Sequence, residues 1–154
     1  MRNRSVTPIV AAFIGVGVFS AMAFAGKGAQ SAAAASPEVV LALRVSREAY
    51  APGEPIQVTL EVTNRTREAV RLTFPTSQRF DLTLEDAAGQ EVWRWSQGRF
   101  FLQVIGEQVL KPDPGALRYN ATVPAPPKGG RYILRGRLAS TNWPVSASTT
   151  IRVR

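Results

Sequence analysis

The strongest constraint on this chain is a strict alternation. Ile56, Val58, Leu60 and Val62 occupy every second position, with Gln57, Thr59, Glu61 and Thr63 between and after them. A period of two puts all four apolar side chains on one face of an extended strand, and no helix accommodates it. The pattern returns in Val39, Leu41, Leu43 and Val45, in Val70, Leu72 and Phe74, and in Phe80, Leu82 and Leu84. It continues through Val92 with Trp93 and Trp95, then Phe100 to Ile105, then Leu117, Tyr119, Ala121 and Val123. Tyr132, Leu134, Gly136 and Leu138, and finally Ile151 and Val153, complete the series. After residue 37 no stretch sustains a 3.6-residue period for three turns.

Turn chemistry separates these segments. Ala51-Pro52-Gly53-Glu54, Thr63-Asn64-Arg65-Thr66, Ala88-Gly89, Lys111 to Gly115 and Pro124 to Gly130 combine residues that preset or permit tight backbone bends. The expected fold is all-β, an antiparallel immunoglobulin-like β-sandwich of about 7–9 strands. It forms one domain over residues 38–154, preceded by a hydrophobic N-terminal segment.

That segment has the composition of an export signal. Arg2 and Arg4 precede an uncharged run from Ile9 to Phe24, and Ala23-Phe24-Ala25 places small residues where a signal peptidase cuts. Residues 1–25 are therefore expected to be a signal peptide, with an uncleaved anchor as the alternative, since a span needs about eighteen apolar residues. Membrane contact is expected only through this segment if it is retained. Residues 26–37, rich in Gly, Ala and Ser, read as a flexible linker. The expected location is extracytoplasmic, secreted or associated with the cell envelope.

Composition removes several classes of chemistry. The chain has no His and no Cys, so it lacks an imidazole base, a thiolate nucleophile, a thiolate metal site and disulfides. No catalytic residue, metal or cofactor is expected. The net charge of +8 raises the question of an anionic partner. From residue 37 onward sixteen basic and eleven acidic residues leave +5. Arg131, Arg135 and Arg137 alternate against Tyr132 and Leu134, which assigns them to a solvated face. A nucleic-acid surface would interleave aromatics with those cations, so no nucleic-acid partner is expected.

Asp81 and Glu85 share one strand face roughly 13 Å apart by strand rise, too far for an acid–base pair, which needs about 5 to 10 Å. They read as a polar strand face. Asn64 and Asn120 head glycosylation sequons, and Asn64 is better explained as a turn residue. The unusual stretch is Leu72 to Ser96. Pro75 ends a strand, Thr76, Ser77 and Gln78 make a polar corner, and Phe80 re-enters the core. Gln78 and Ser96 are expected to satisfy buried backbone groups, and Trp93 and Trp95 to share a core face.

These residues carry a family resemblance. Gly53-Glu54-Pro55-Ile56, Val62-Thr63-Asn64, Phe74 to Asp81 (F-P-T-S-Q-R-F-D), Gly89 to Ser96 (G-Q-E-V-W-R-W-S), Phe101-x-Gln103 and Gly130-x-Tyr132-x-Leu134-x-Gly136-x-Leu138 resemble the BsuPI-type intracellular proteinase inhibitor domain. The resemblance implies an immunoglobulin-like sandwich and inhibition of a serine protease. Phe74, Phe80, Asp81, Trp93, Trp95, Ser96 and Tyr132 carry the motifs in structural roles. Two places depart from the pattern. Leu110 to Ala116 is longer than the usual Leu-x-Pro-Gly-Glu, and Val123 follows Tyr119 where Trp is usual. The apparent signal sequence also separates this chain from intracellular members.

The resulting expectation is an exported, non-enzymatic binding domain that inhibits a serine protease by loop contact. Candidate contacts are Thr76, Ser77 and Gln78, with Trp143 and Pro144 in the connection from Ala139 to Val145. The alternative is an envelope adhesion or accessory module that binds another protein or an anionic surface.

Overall fold

In the computed structural model, which describes residues 32–34 and 38–154, the alternating segments are strands and no helix is present among the described residues. The strands are β1 (Ala32–Ala34), β2 (Val39–Val45), β3 (Ala49–Tyr50), β4 (Pro55–Asn64), β5 (Val70–Phe74) and β6 (Phe80–Glu85). They continue as β7 (Glu91–Arg94), β8 (Gly106–Leu110), β9 (Ala116–Pro124), β10 (Gly130–Leu138) and β11 (Ser146–Val153). The signal segment and most of the proposed linker lie outside the described residues. Within that linker, Ala32–Ala34 pairs antiparallel with Ser146–Ser148 of β11.

One sheet runs β1-β11-β10-β6-β7, with β3 parallel to the end of β11. A second runs β2-β4-β9, and β5 and β8 form a two-stranded ribbon. The ribbon is tied to the second sheet through Asn64 at the end of β4. That side chain is 0% exposed. Its amide donates to the carbonyls of Glu68 and Leu110, and its Oδ1 accepts from the Thr66 amide and hydroxyl. This is the turn role expected for Asn64, and burial leaves no room for a glycan there. Asn120, by contrast, lies exposed on β9 and accepts from the Thr59 hydroxyl.

The two sheets close on the residues that alternation marks. Ile56, Val58, Leu60 and Val62 of β4 face Leu82 and Leu84 of β6 and Leu134 and Leu138 of β10, all buried. Each such side chain contributes about 1.5–3 kcal/mol on leaving water. Gly136 marks a close approach. A Cβ there would lie 3.0 Å from Leu60, 3.1 Å from Leu43 and 3.4 Å from Leu82, so β10 passes directly against the opposite sheet. Arg131, Arg135 and Arg137 point away from this core, as their alternation requires.

The all-β sandwich matches the expected class, with eleven strands among the described residues where seven to nine were expected. Part of the excess is short pairings that carry no alternation, β1 and β3. One strand is displaced. Phe100 to Ile105 was expected to be a strand, but it is an irregular extended segment and β8 begins only at Gly106. The chain leaves the sheet after Trp95 through a turn in which the Gln97 amide donates to the Arg94 carbonyl and the Arg99 amide to that of Ser96. Gly98 supplies the left-handed conformation there, at φ 75°.

Candidate functional site

Three connections meet at one end of the sandwich. The β5–β6 corner (75–79), the β7–β8 loop (95–105) and the β10–β11 connection (139–145) are joined by backbone bonds. The Ala139 amide donates to the Arg79 carbonyl, Thr141 to Thr73, and Ser77 to Leu102. The Asn142 side chain pairs with the free edge of β5, accepting from the Thr73 amide and donating to the Arg71 carbonyl. The sequence-marked residues of both outer loops are thus brought to the same end.

Most of their polar atoms are engaged within the fold. Thr76 Oγ1 accepts from the Gln78 amide, and its carbonyl accepts from Arg79. Gln78 Nε2 donates to the Phe80 carbonyl at 3.0 Å, the backbone role expected of it. Ser77 makes a two-sided clasp on Leu102: its amide donates to the Leu102 carbonyl and its Oγ accepts from the Leu102 amide, both at 2.9 Å. Trp143 is half-buried against the core, as are Trp93 and Trp95, while Pro144 is exposed. Thr76 and Gln78 therefore shape their own corner, and Ser77 braces the loop beside it.

That loop carries the exposed apolar surface. Phe100 is 101% exposed and Leu102 71%, and Val104 and Ile105 are exposed as well. Phe101 alone turns inward, its ring 6.0 Å from that of Trp95. Behind it an aromatic row continues, with Trp95 to Phe80 at 4.4 Å and Phe80 to Tyr119 at 5.5 Å. Burial pushes the Tyr119 phenol up, and its hydroxyl donates to Gln108. Arg99 lies over the other part of Trp95, its guanidinium carbon 4.2 Å from the ring centroid, and donates to the Trp95 carbonyl. The loop is extended, outward-facing and fastened on both flanks.

Asp81 secures the near flank. The polar strand face expected of it is present, and the side chain is only 5% exposed. Its Oδ1 accepts from the amides of Leu82 and Ser96 at 2.9 and 3.1 Å. Its Oδ2 accepts from the Ser96 hydroxyl at 2.7 Å and from Arg94 at 3.0 Å. Ser96 thus meets this carboxylate where a buried backbone group was expected. The two sequence blocks ending in Asp81 and Ser96 are one hydrogen-bonded unit at the start of the loop. Hydrogen bonds to Glu91 and then to Asp81 hold the Arg94 guanidinium still more firmly protonated.

Arg94 also borders a groove of about 380 Å³ on the outer face of β6, β7 and β10, lined by Asp81, Thr83, Glu85, Glu91, Arg135 and Arg137. Its charges are largely compensated, since Arg135 pairs with Glu85 at 3.2 Å and Arg94 with both Asp81 and Glu91. Among the described residues no group of three or more acidic side chains is placed to hold a metal ion. No helix among them is long and apolar enough to cross a membrane.

The alternation of the 100–105 segment concealed the loop in the sequence. Phe100, Leu102 and Val104 share one parity, which reads as a buried strand face, and in the fold that face is turned outward. The useful signal was the Gln97-Gly98 turn just before it.

Among solved structures, the C-terminal domain of wzt aligns over 81% of this chain and 78% of its own length, with 9% identity and a TM-score of 0.54. Spo0M, a sporulation control protein from Bacillus subtilis, aligns over 76% of this chain with 17% identity and a TM-score of 0.50. The chain spans 49% of the length of Spo0M. At these identities both matches speak to the fold alone. No curated protein matches the chain. The family model described as BsuPI, intracellular proteinase inhibitor, matches residues 43–143, which include the aromatic row, the Asp81–Ser96 unit and the whole exposed loop. The chain belongs to the BsuPI intracellular proteinase inhibitor family.

Proposed function

We propose that this chain is an exported, non-enzymatic inhibitor of a serine protease, and that it acts by presenting the 96–105 loop to the protease cleft. The observation that carries the reading is the loop itself: contiguous exposed apolar side chains on a backbone braced by Ser77, Asp81 and Trp95. Ordering a flexible loop on binding costs free energy, and a braced loop has already met that cost. Membership of a proteinase inhibitor family supports a protease as the partner. The uncharged run from Ile9 to Phe24 supports export and, with it, a target outside the cytoplasm.

The alternative, an envelope module held by a basic face, draws less support. Five arginines, Arg47, Arg71, Arg94, Arg118 and Arg135, already sit in ion pairs with carboxylates of the same domain. The chain as processed by its cell, titrated into secreted serine proteases, should inhibit at a stoichiometric ratio and remain intact. Digestion of the chain, or no inhibition at micromolar concentration, overturns the reading. Fractionation of cells expressing it tests the location, and retention of the chain in the cytoplasm overturns export.

A further inference from the structure

Resting on that inhibitor reading, we propose that Phe100 is the side chain that fills the primary specificity pocket. The target is then a protease whose deep apolar pocket selects aromatic or large aliphatic residues. Phe100 is 101% exposed, and the residues on either side of it are fixed. Arg99 is held on Trp95, Phe101 packs inward toward the same ring, and both backbone groups of Leu102 are taken by Ser77. These contacts set the register, so that Phe100 and Leu102 point out while Phe101 points in. An aromatic ring is also the side chain with the largest apolar area to gain from a pocket, and such anchors dominate interface energetics.

The backbone favours a protease over other apolar partners. Neither the amide nor the carbonyl of Phe100 hydrogen-bonds to another described residue. A protease cleft presents strand edges that pair with extended peptide in this way, so those free groups acquire partners when the side chain enters its pocket. A lipid bilayer offers no such partners, and an unpaired backbone group is strongly disfavoured in hydrocarbon. The loop's shape and its unpaired groups therefore fit a cleft better than a lipid surface.

The test uses the full chain and three variants against proteases of known pocket preference. Wild type is expected to inhibit a chymotrypsin-type enzyme more tightly than a trypsin-type enzyme. F100A should raise the inhibition constant by about 100-fold, the loss expected of a central aromatic anchor. F100L should retain most of the affinity, and F100R should transfer it to the trypsin-type enzyme. Because Phe100 contacts little of its own domain, all three should keep the wild-type urea midpoint, so that lost inhibition is not lost folding.

Inhibition that survives F100A within about threefold, a change below roughly 0.7 kcal/mol, overturns the assignment of Phe100 and leaves the inhibitor reading standing. Absence of inhibition by wild type against every enzyme overturns both. Two controls address other occupants of the loop. Binding of wild type to phosphatidylglycerol vesicles that F100A abolishes, with no inhibition, overturns the proposal in favour of a lipid surface. A wild-type dimer in light scattering that F100A converts to monomer, with no inhibition, overturns it in favour of self-association.

Discussion

Asp81 offers the sharpest test of how this fold holds its loop. In D81N the retained carbonyl oxygen still accepts from the Leu82 and Ser96 amides, as Oδ1 does now at 2.9 and 3.1 Å. The new amide nitrogen replaces Oδ2 and faces two donors, the Ser96 hydroxyl and Arg94. The hydroxyl can rotate and accept, so that contact is recovered. The Arg94 contact becomes donor against donor. A hydrogen bond to a charged group contributes about 1.5–3 kcal/mol. Arg94 keeps Glu91 and its side chain is 38% exposed, so water replaces part of the loss. With the weaker acceptor strength of an amide added, D81N should cost about 2 kcal/mol. D81A leaves two amides and a hydroxyl unpaired and should cost about 3–5 kcal/mol.

Urea denaturation followed by tryptophan fluorescence reads these values directly, since Trp93 and Trp95 flank the site. The midpoint should fall with the slope unchanged, which separates lost stability from a changed denatured state. A cycle with S96A should return a coupling above about 0.5 kcal/mol, as expected for groups in direct contact. Hydrogen exchange in residues 96–105 should quicken in D81N more than in β4. A D81N loss below about 0.5 kcal/mol, or no coupling to S96A, would refute the reasoning that this carboxylate secures the loop.

Four further expectations follow from other parts of the molecule. G136V should cost about 1–3 kcal/mol by overpacking against Leu43 and Leu60, and a neutral urea midpoint would mean that the sheets separate freely there. N64A should cost about 2–3 kcal/mol, because the Leu110 and Glu68 carbonyls lose a buried donor; an unchanged midpoint would contradict its role as the tie between ribbon and sheet. F101A should lower stability by about 1.5–2.5 kcal/mol, half the loss of a fully buried ring, while F100A leaves it unchanged; equal effects would refute the inward and outward assignment. Glu54 is lowered from 4.5 by the Ala51 amide and then Arg47. A depressed carboxylate adds stability that is present above pH 4.5 and is lost as pH falls through its folded value. The advantage of wild type over E54Q in urea midpoint should therefore shrink on acidification below that pH, and an advantage that grows would be the wrong sign.

The scaffold was legible because burial enforces it. Ile56, Val58, Leu60 and Val62 alternate since any shift by one residue would turn the whole set into water. Asn64 was legible as a turn because its side chain does the local backbone bonding that turn residues do. What sequence could not resolve were contacts made across the chain. Asp81 reads only as part of a polar strand face, because its partners Arg94 and Ser96 lie more than ten positions away. Phe100 and Leu102 fail in the opposite sense, since they have the pattern of a buried strand and no sheet to face. Trp143 is a further case, since Asn142 docks on β5 and the neighbouring tryptophan packs half-buried against the core.

The location of that second failure bears on function. Natural sequences keep pattern and environment in agreement across a fold, and departures collect where binding or catalysis demands them. Along β4 and β10 the two agree: alternating apolar residues are buried and their neighbours are not. The disagreement is concentrated in 100–105, where four of six residues are exposed large hydrophobics. Contiguous exposed apolar surface promotes association and has to be explained by what covers it. The fold also spends a buried carboxylate, an aromatic row and a two-sided serine clasp on holding that same segment still. A loop that only connected β7 to β8 would need neither the exposure nor the bracing. Both are what a surface requires when its shape must be ready before the partner arrives.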